Sequence, residues 1–168
     1  MDAGRRLDAD RRLDADRRRE LVERYRAGPA VIREAVAGLD AAALDRRPAD
    51  GGWTPREVVH HTADSEMTSA IRLRRLVAEE EPLIVGYDGD EFARRLHYAE
   101  RPIEPALDAI AAARATTLQI LDGLSEAEWA RTGRHSELGE YGVEHWLEIY
   151  AEHCHEHADQ IRRALNGT

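Results

Sequence analysis

Lysine is absent from this chain. All 24 of its Lys/Arg positions are arginine, so no side chain can form a Schiff base with a carbonyl substrate or pyridoxal phosphate, and no phosphate-loop lysine exists. Cysteine occurs once, at Cys154. That rules out an intrachain disulfide, a paired-cysteine redox site and a multi-cysteine zinc or iron–sulfur centre. Any metal must be held mainly by His, Asp or Glu. No apolar run approaches the roughly 20 residues of a membrane span, and the N-terminus lacks the apolar stretch of a signal peptide. The expectation is a cytoplasmic protein with no membrane partner.

Positive charge is outnumbered, 24 arginines against 33 acids, and the formal net charge is -9 over 168 residues. Residues 1–20 hold seven Arg against six acids, leaving 17 Arg against 27 acids for the remainder. A body of that sign repels phosphate backbones, so no nucleic-acid partner is expected. A chain of this length normally builds one core. The division read from the sequence is a charged arm over 1–16 and a helical domain over 17–168. The arm contains Arg-Arg-Leu-Asp-Ala-Asp in tandem, at Arg5–Asp10 and Arg11–Asp16. One leucine per six residues suits neither a helical stripe nor a strand, so it reads as a solvated, frayed arm.

What is present is alanine, with apolar residues at helical rather than alternating spacing. A first helix is expected over about 17–38, kinked or restarted at Gly28-Pro29. A turn at Asp40–Asp45 and the breaker Pro48-Ala-Asp-Gly-Gly52 follow. Thr54 as N-cap, Pro55 at the first helical position and Glu57 three residues after the cap open a second helix running to about 80. Residues 81–104 form a long crossover with one short helical stretch near Asp90–Ala99, of the kind that joins parallel neighbours in some four-helix bundles. A third helix spans about 105–121. Ser125 and Glu128 make a second capping box beside Trp129, and a fourth helix covers about 143–165. The fold class is all-α, a four-helix bundle.

On the fourth helix, His153 and His157 lie i, i+4 within the arc of Val143, Trp146, Leu147, Tyr150, Cys154, Ile161 and Leu165. His145 and His155 share the opposite side with acids and arginines. Imidazoles at i and i+4 can meet one cation at about 2.0–2.1 Å; two satisfied core histidines are an equal reading of the same pattern. A third ligand from another helix decides between them, and the second helix offers His60 and His61. His60 flanks the apolar stripe of Val59, Ala63, Ala70 and Val77, whereas His61 shares a polar stripe with Ser65, Thr68 and Arg72. Periodicity leaves that choice open.

The run Gly51-Gly-Trp-Thr-Pro-Arg-Glu-Val-Val-His-His-Thr-Ala-Asp-Ser65, then Arg72, the loop His135-Ser-Glu137 and Tyr150-Ala-Glu-His-Cys-His-Glu-His157 resemble the signatures of the DinB-like superfamily. Within it they are most similar to the YfiT-type metal-dependent hydrolases, also described as bacillithiol transferases. The resemblance spans about Leu21 to Leu165. It implies up-down-down-up connectivity, a possible homodimer and one divalent metal held by His61, His153 and His157. Two departures stand out: Ser136 replaces a proline, and Glu66 stands where relatives often carry another histidine. Glu66 reads as a solvated acid in preference to a further ligand.

Three protein ligands leave a position for water or a small thiol. The leading expectation is a transferase that adds a low-molecular-weight thiol to an electrophile. The alternatives are a metal-dependent amide or ester hydrolase and a non-catalytic, metal-stabilised stress-response bundle. Zn, Ni, Fe and Mn all suit three imidazoles. Asp64 is a helper accepting a hydrogen bond from an imidazole, or else an ion-pair partner of Arg56 or Arg72. Arg72 holds a carboxylate of the thiol cofactor, or else makes a surface salt bridge. His135 enters the mouth of the site, or else serves its loop. Cys154 is read as a buried hydrophobe, and Trp146 and Tyr150 as core anchors.

Overall fold

The computed structural model describes residues 13–166, so the first repeat of the arm lies outside the described residues. Helix α1 (Ala15–Ala35) starts two residues inside the expected arm, where the Asp14 side chain accepts the Arg17 amide at 2.7 Å. A short α2 (Ala41–Leu44) follows, capped by Asp40. Helix α3 (Pro55–Ala78) opens with the expected capping box: the Thr54 amide donates to Glu57 Oε2 at 2.8 Å, and the Glu57 amide to Thr54 Oγ1 at 3.3 Å. Thr54→Ala is expected to lower stability by about 1 kcal/mol, read as a shifted midpoint in urea. Beyond it come β1 (Leu83–Ile84), α4 (Gly89–Arg95), a 3₁₀ turn (Tyr98–Glu100) and α5 (Glu104–Leu121). The chain closes with α6 (Glu126–Trp129), the hairpin β2 (Thr132–His135) and β3 (Gly139–Gly142), and α7 (Val143–Asn166).

Contacts between the long helices set their directions. Arg18 and Arg24 of α1 meet Glu144 and Glu152 of α7 in the same order, so these two run parallel. Arg26 and Arg33 meet Asp122 and Asp108 in reverse order, so α1 and α5 are antiparallel. Glu66 and Arg74 of α3 meet Arg114 and Thr117 of α5 in the same order, while Ser69 and Glu66 meet Trp146 and His153 of α7 in reverse. The bundle is therefore up-down-down-up, and the segment between α3 and α5 is the crossover that two parallel neighbours require.

The hairpin was not visible in the composition. β2 pairs antiparallel with β3, and β1 joins β2 in parallel, with Ile84 opposite His135. The outer edge of β1 is covered from α3: Arg72 and Arg75 each donate to a carbonyl there, of Val85 and Leu83, at 2.8 Å. No helix among the described residues is long and apolar enough to cross a membrane.

Two apolar clusters fill the bundle. One gathers Tyr25, Leu73, Leu76, Leu118, Trp146 and Leu147; the other gathers Ile32, Val58, Val59, Ile110, Cys154 and Ile161. In each long helix the sequence between the two sets carries an interruption: Gly28 in α1, Glu66 in α3, Arg114 in α5 and His153 in α7. These residues form one polar layer across the bundle, and the candidate site lies at its edge.

Candidate metal centre

Helix α1 runs unbroken through Gly28-Pro29, where a kink or restart was expected, and Arg114 explains how. Pro29 has no amide hydrogen, so the Tyr25 carbonyl four residues earlier loses its helical donor. Arg114 Nη1 donates to that carbonyl from α5. Gly28 leaves the space for it, because a Cβ at that position would sit 2.2 Å from Nη1. The guanidinium lies 4.0 Å from the Tyr25 ring centroid and donates through Nη2 to the Tyr150 carbonyl at 2.8 Å. Its remaining donors grip Glu66: Nε to Oε2 at 2.9 Å and Nη2 to Oε1 at 2.7 Å, with both side chains 0% exposed.

The expectation of a solvated Glu66 is thus overturned. Its carboxylate also accepts from His153 Nδ1 at 2.9 Å and from the Cys154 thiol at 3.6 Å. Burial alone would raise its pKa, but the Arg114 charge and the bond from His153 outweigh that and hold it below the usual carboxylate range. The pair stays ionised because each partner supplies what burial removes. Cys154 is buried as expected, and burial followed by the Glu66 charge raises its pKa well above the ordinary thiol value. It is no nucleophile.

The structure brings His61, His153 and His157 together, with ring nitrogens all within 4.8 Å of one another. The His61 ring lies 4.9 Å from His157 and 6.0 Å from His153, centroid to centroid. His153 Nδ1 is engaged by Glu66, and His157 Nδ1 donates to Gln160 Oε1 at 2.8 Å. Both Nε2 atoms are left as lone-pair acceptors, and they face each other at 3.2 Å. With both protons on Nδ1, two lone pairs at that distance repel unless a proton or a metal ion lies between them. Ligand atoms on one cation at bond lengths of about 2.0–2.1 Å stand about 3.0–3.4 Å apart, which fits. Burial, then the two neighbouring imidazoles, lowers the His61 pKa to about 3; burial, then His153, lowers that of His157 to about 4. Both rings are neutral at pH 7, as ligation requires. His61 Nδ1 is buried with no hydrogen-bond partner among the described residues.

His60 takes a different part. It is buried, donates from Nε2 to the Arg101 carbonyl at 3.1 Å and stacks on Tyr98, tying α3 to the crossover. The crossover closes over His61 in turn. Trp53 packs on its ring at 4.5 Å, and a Cβ on Gly89 would lie 3.4 Å from His61.

The three expected helpers fare unequally. Asp64 accepts from the Tyr98 hydroxyl, not from an imidazole, and Arg56 pairs with Asp45 at 2.7 Å instead. The side chain of Asp64 therefore serves the crossover. His135 ends β2, and its buried ring accepts the Glu137 and Leu138 amides on Nδ1 at 3.2 and 3.4 Å, closing the hairpin turn. Its nitrogens are not among the ligand atoms that gather at the three-imidazole cluster. Arg72 makes no salt bridge among the described residues: Nη1 donates to the Tyr150 hydroxyl at 3.2 Å and the guanidinium lies over Tyr87. Tyr150 in turn packs 5.3 Å from His153, so Arg72 stands one ring away from the cluster. His155, expected in solvent, donates to the Arg24 carbonyl of α1 at 3.0 Å.

The chain is similar to known proteins over most of its length. The profile described as the DinB superfamily matches residues 24–161. A protein of Oceanobacillus iheyensis named "Putative metal-dependent hydrolase" is 37% identical over 133 residues, 79% of this chain and 77% of that relative. One of the same name from Geobacillus kaustophilus is 31% identical over 85% of this chain and 81% of its own. Among solved structures, YfiT from Bacillus subtilis superposes with a TM-score of 0.87 and 26% identity, covering 92% of this chain and 89% of that one. It is described as "a probable metal-dependent hydrolase with an unusual four-helix bundle topology". A bundle wound up-down-down-up, a histidine from its second long helix meeting two from its fourth, and matches over most of the chain point the same way: this protein belongs to the DinB superfamily.

Proposed function

We propose that His61, His153 and His157 hold one divalent metal and that the chain is a metal-dependent enzyme in which that metal activates a small nucleophile. The observation that carries this is the gathering of one ring nitrogen from each of the three histidines within 4.8 Å of one another, with the His153 and His157 Nε2 atoms 3.2 Å apart and each ring held by a partner on its far side. When bound, the cation lowers the pKa of a water or thiol that it coordinates. The chain does the rest. Glu66 and Gln160 orient the imidazoles, Trp53 and Gly89 shield His61, and Tyr150 walls the side toward Arg72.

The leading reading is transfer of a low-molecular-weight thiol to an electrophile. Its sulfur must come from outside, since Cys154 is buried and protonated. Arg72 supports it, because among the described residues this guanidinium has no carboxylate within ion-pair range, so its charge, held one ring from the cluster by Tyr150 and the Val85 carbonyl, is left to attract a carboxylate on the incoming thiol. The second reading, hydrolysis of an amide or ester, is favoured by the names of the relatives. A panel of electrophiles, amides and esters assayed with bacillithiol, mycothiol, glutathione and no thiol separates the two. Inertness throughout, in a protein that unfolds when stripped of metal, would favour a structural role.

The metal itself is tested by elemental analysis. Wild type is expected to hold about one ion per chain, while His61→Ala, His153→Ala and His157→Ala each fall to near zero because two imidazoles remain. Equal content in all four proteins would sink the assignment.

A further inference from the structure

Arg114 and Glu66 are fully buried, yet the contacts between them end on one of the site's imidazoles. Four donors converge on the Glu66 carboxylate: two from Arg114, the Cys154 thiol and His153 Nδ1. Arg114 is fixed in turn by the Tyr25 carbonyl that Pro29 leaves free, by the Tyr150 carbonyl and by the Tyr25 ring. Every long helix therefore contributes to holding this one carboxylate in place.

We infer that the Arg114–Glu66 pair is a positioning device for His153: it holds the ring in the Nδ1–H tautomer and aims the Nε2 lone pair at His157 and His61. The inference rests on the metal reading above and deepens it. A neutral imidazole places its proton on either nitrogen, and in the Nε2–H form His153 would present a hydrogen, not a lone pair, to the cation. An ionised acceptor on Nδ1 removes that choice and makes Nε2 more basic, as carboxylate partners of ligating histidines do elsewhere. The arginine keeps the acceptor ionised and stationary. A pair serving packing alone would have no reason to offer Oε1 to a ring whose other nitrogen faces two more imidazoles.

Two double variants separate positioning from packing. Glu66→Met with Arg114→Met removes both charges at similar volume and leaves His153 Nδ1 without an acceptor. Glu66→Gln with Arg114→Met restores a neutral acceptor, the amide oxygen, in the same background. Apparent Zn²⁺ affinity is measured by chelator competition, alongside thermal midpoints and ¹⁵N spectra of histidine-labelled, metal-free protein. The Met/Met protein is expected to bind Zn²⁺ about 10–100-fold more weakly than wild type, with His153 shifted toward the Nε2–H tautomer. The Gln/Met protein, at a similar midpoint, recovers part of the affinity and of the Nδ1–H population, falling short of wild type because a neutral amide can donate to Nδ1 as well as accept from it. Equal affinities and unchanged tautomers in all three would overturn the inference. A wild type that takes up no Zn²⁺ would defeat the metal reading alone, since the tautomer spectra still decide whether Glu66 holds the Nδ1 proton.

Discussion

Arg114→Met is expected to destabilise the protein by about 3–5 kcal/mol, the range for breaking a buried ion pair from one side. The substitution leaves the Glu66 carboxylate 0% exposed with its main counter-charge gone. It also strips the donor from the Tyr25 carbonyl, which Pro29 has already deprived of its helical partner. Against a total stability of about 5–15 kcal/mol for a domain of this kind, the loss removes a large share. Urea denaturation reads it as a lower midpoint at unchanged slope. Adding Glu66→Met should recover part of the loss, because two matched apolar side chains replace the buried ion pair at little net penalty while the Tyr25 carbonyl stays without its donor. A single variant within about 1 kcal/mol of wild type would show that water or another cation reaches Glu66.

Trp146→Ala is expected to have an effect of similar size, about 3–5 kcal/mol. The indole is 0% exposed at the centre of its cluster, packed against Tyr25 at 5.4 Å and Tyr150 at 5.3 Å, and it donates to the Ser69 carbonyl at 3.0 Å. Truncation leaves a cavity between α1, α3 and α7 that long helices close poorly. The damage should reach the imidazoles as well, since Tyr150 is backed by Trp146 on one side and packs on His153 on the other. Trp146→Phe keeps most of the volume and is expected to cost less. Denaturant midpoints of the two variants check this, and a loss below about 1 kcal/mol for the alanine variant would mean that the site collapses around the void.

The four long helices were legible because their signals are local. Thr54, Pro55 and Glu57 announce a helix start within four residues, and the apolar arc of α7 repeats over six turns. The hairpin was not, because Thr-Gly-Arg-His and Gly-Glu-Tyr-Gly are too short and too polar to alternate, and their pairing comes from the sheet's fit against α3 and α7. The buried pair was missed for a subtler reason. The α3 stripe drawn through Val59, Ala63, Ala70 and Val77 skips the turn at 66, and that gap is where Glu66 points inward. Arg114 likewise continues the spacing of Leu107, Ile110, Leu118 and Leu121, which are all buried with it. A charged residue inside an apolar repeat was the available signal, and it takes a pair of them on two helices to make sense. His61 could not be separated from His60 by periodicity, since neither lies within the apolar stripe and each finds a polar partner, one among two imidazoles and the other at the Arg101 carbonyl.

The polar layer has one more consequence. Helix α5 carries alanine at positions 106, 109, 111, 112, 113 and 115, so several of its faces could pack against neighbours with little loss, and hydrophobic burial alone discriminates poorly among them. Sliding α5 by one turn, about 5.4 Å, would still bury alanine, but it would carry the Arg114 charge away from Glu66 and leave both unpaired in the interior. Only one alignment of the four helices escapes that penalty. In a bundle so rich in interchangeable small residues, a single buried arginine selects which of the nearly equivalent packings is the native one.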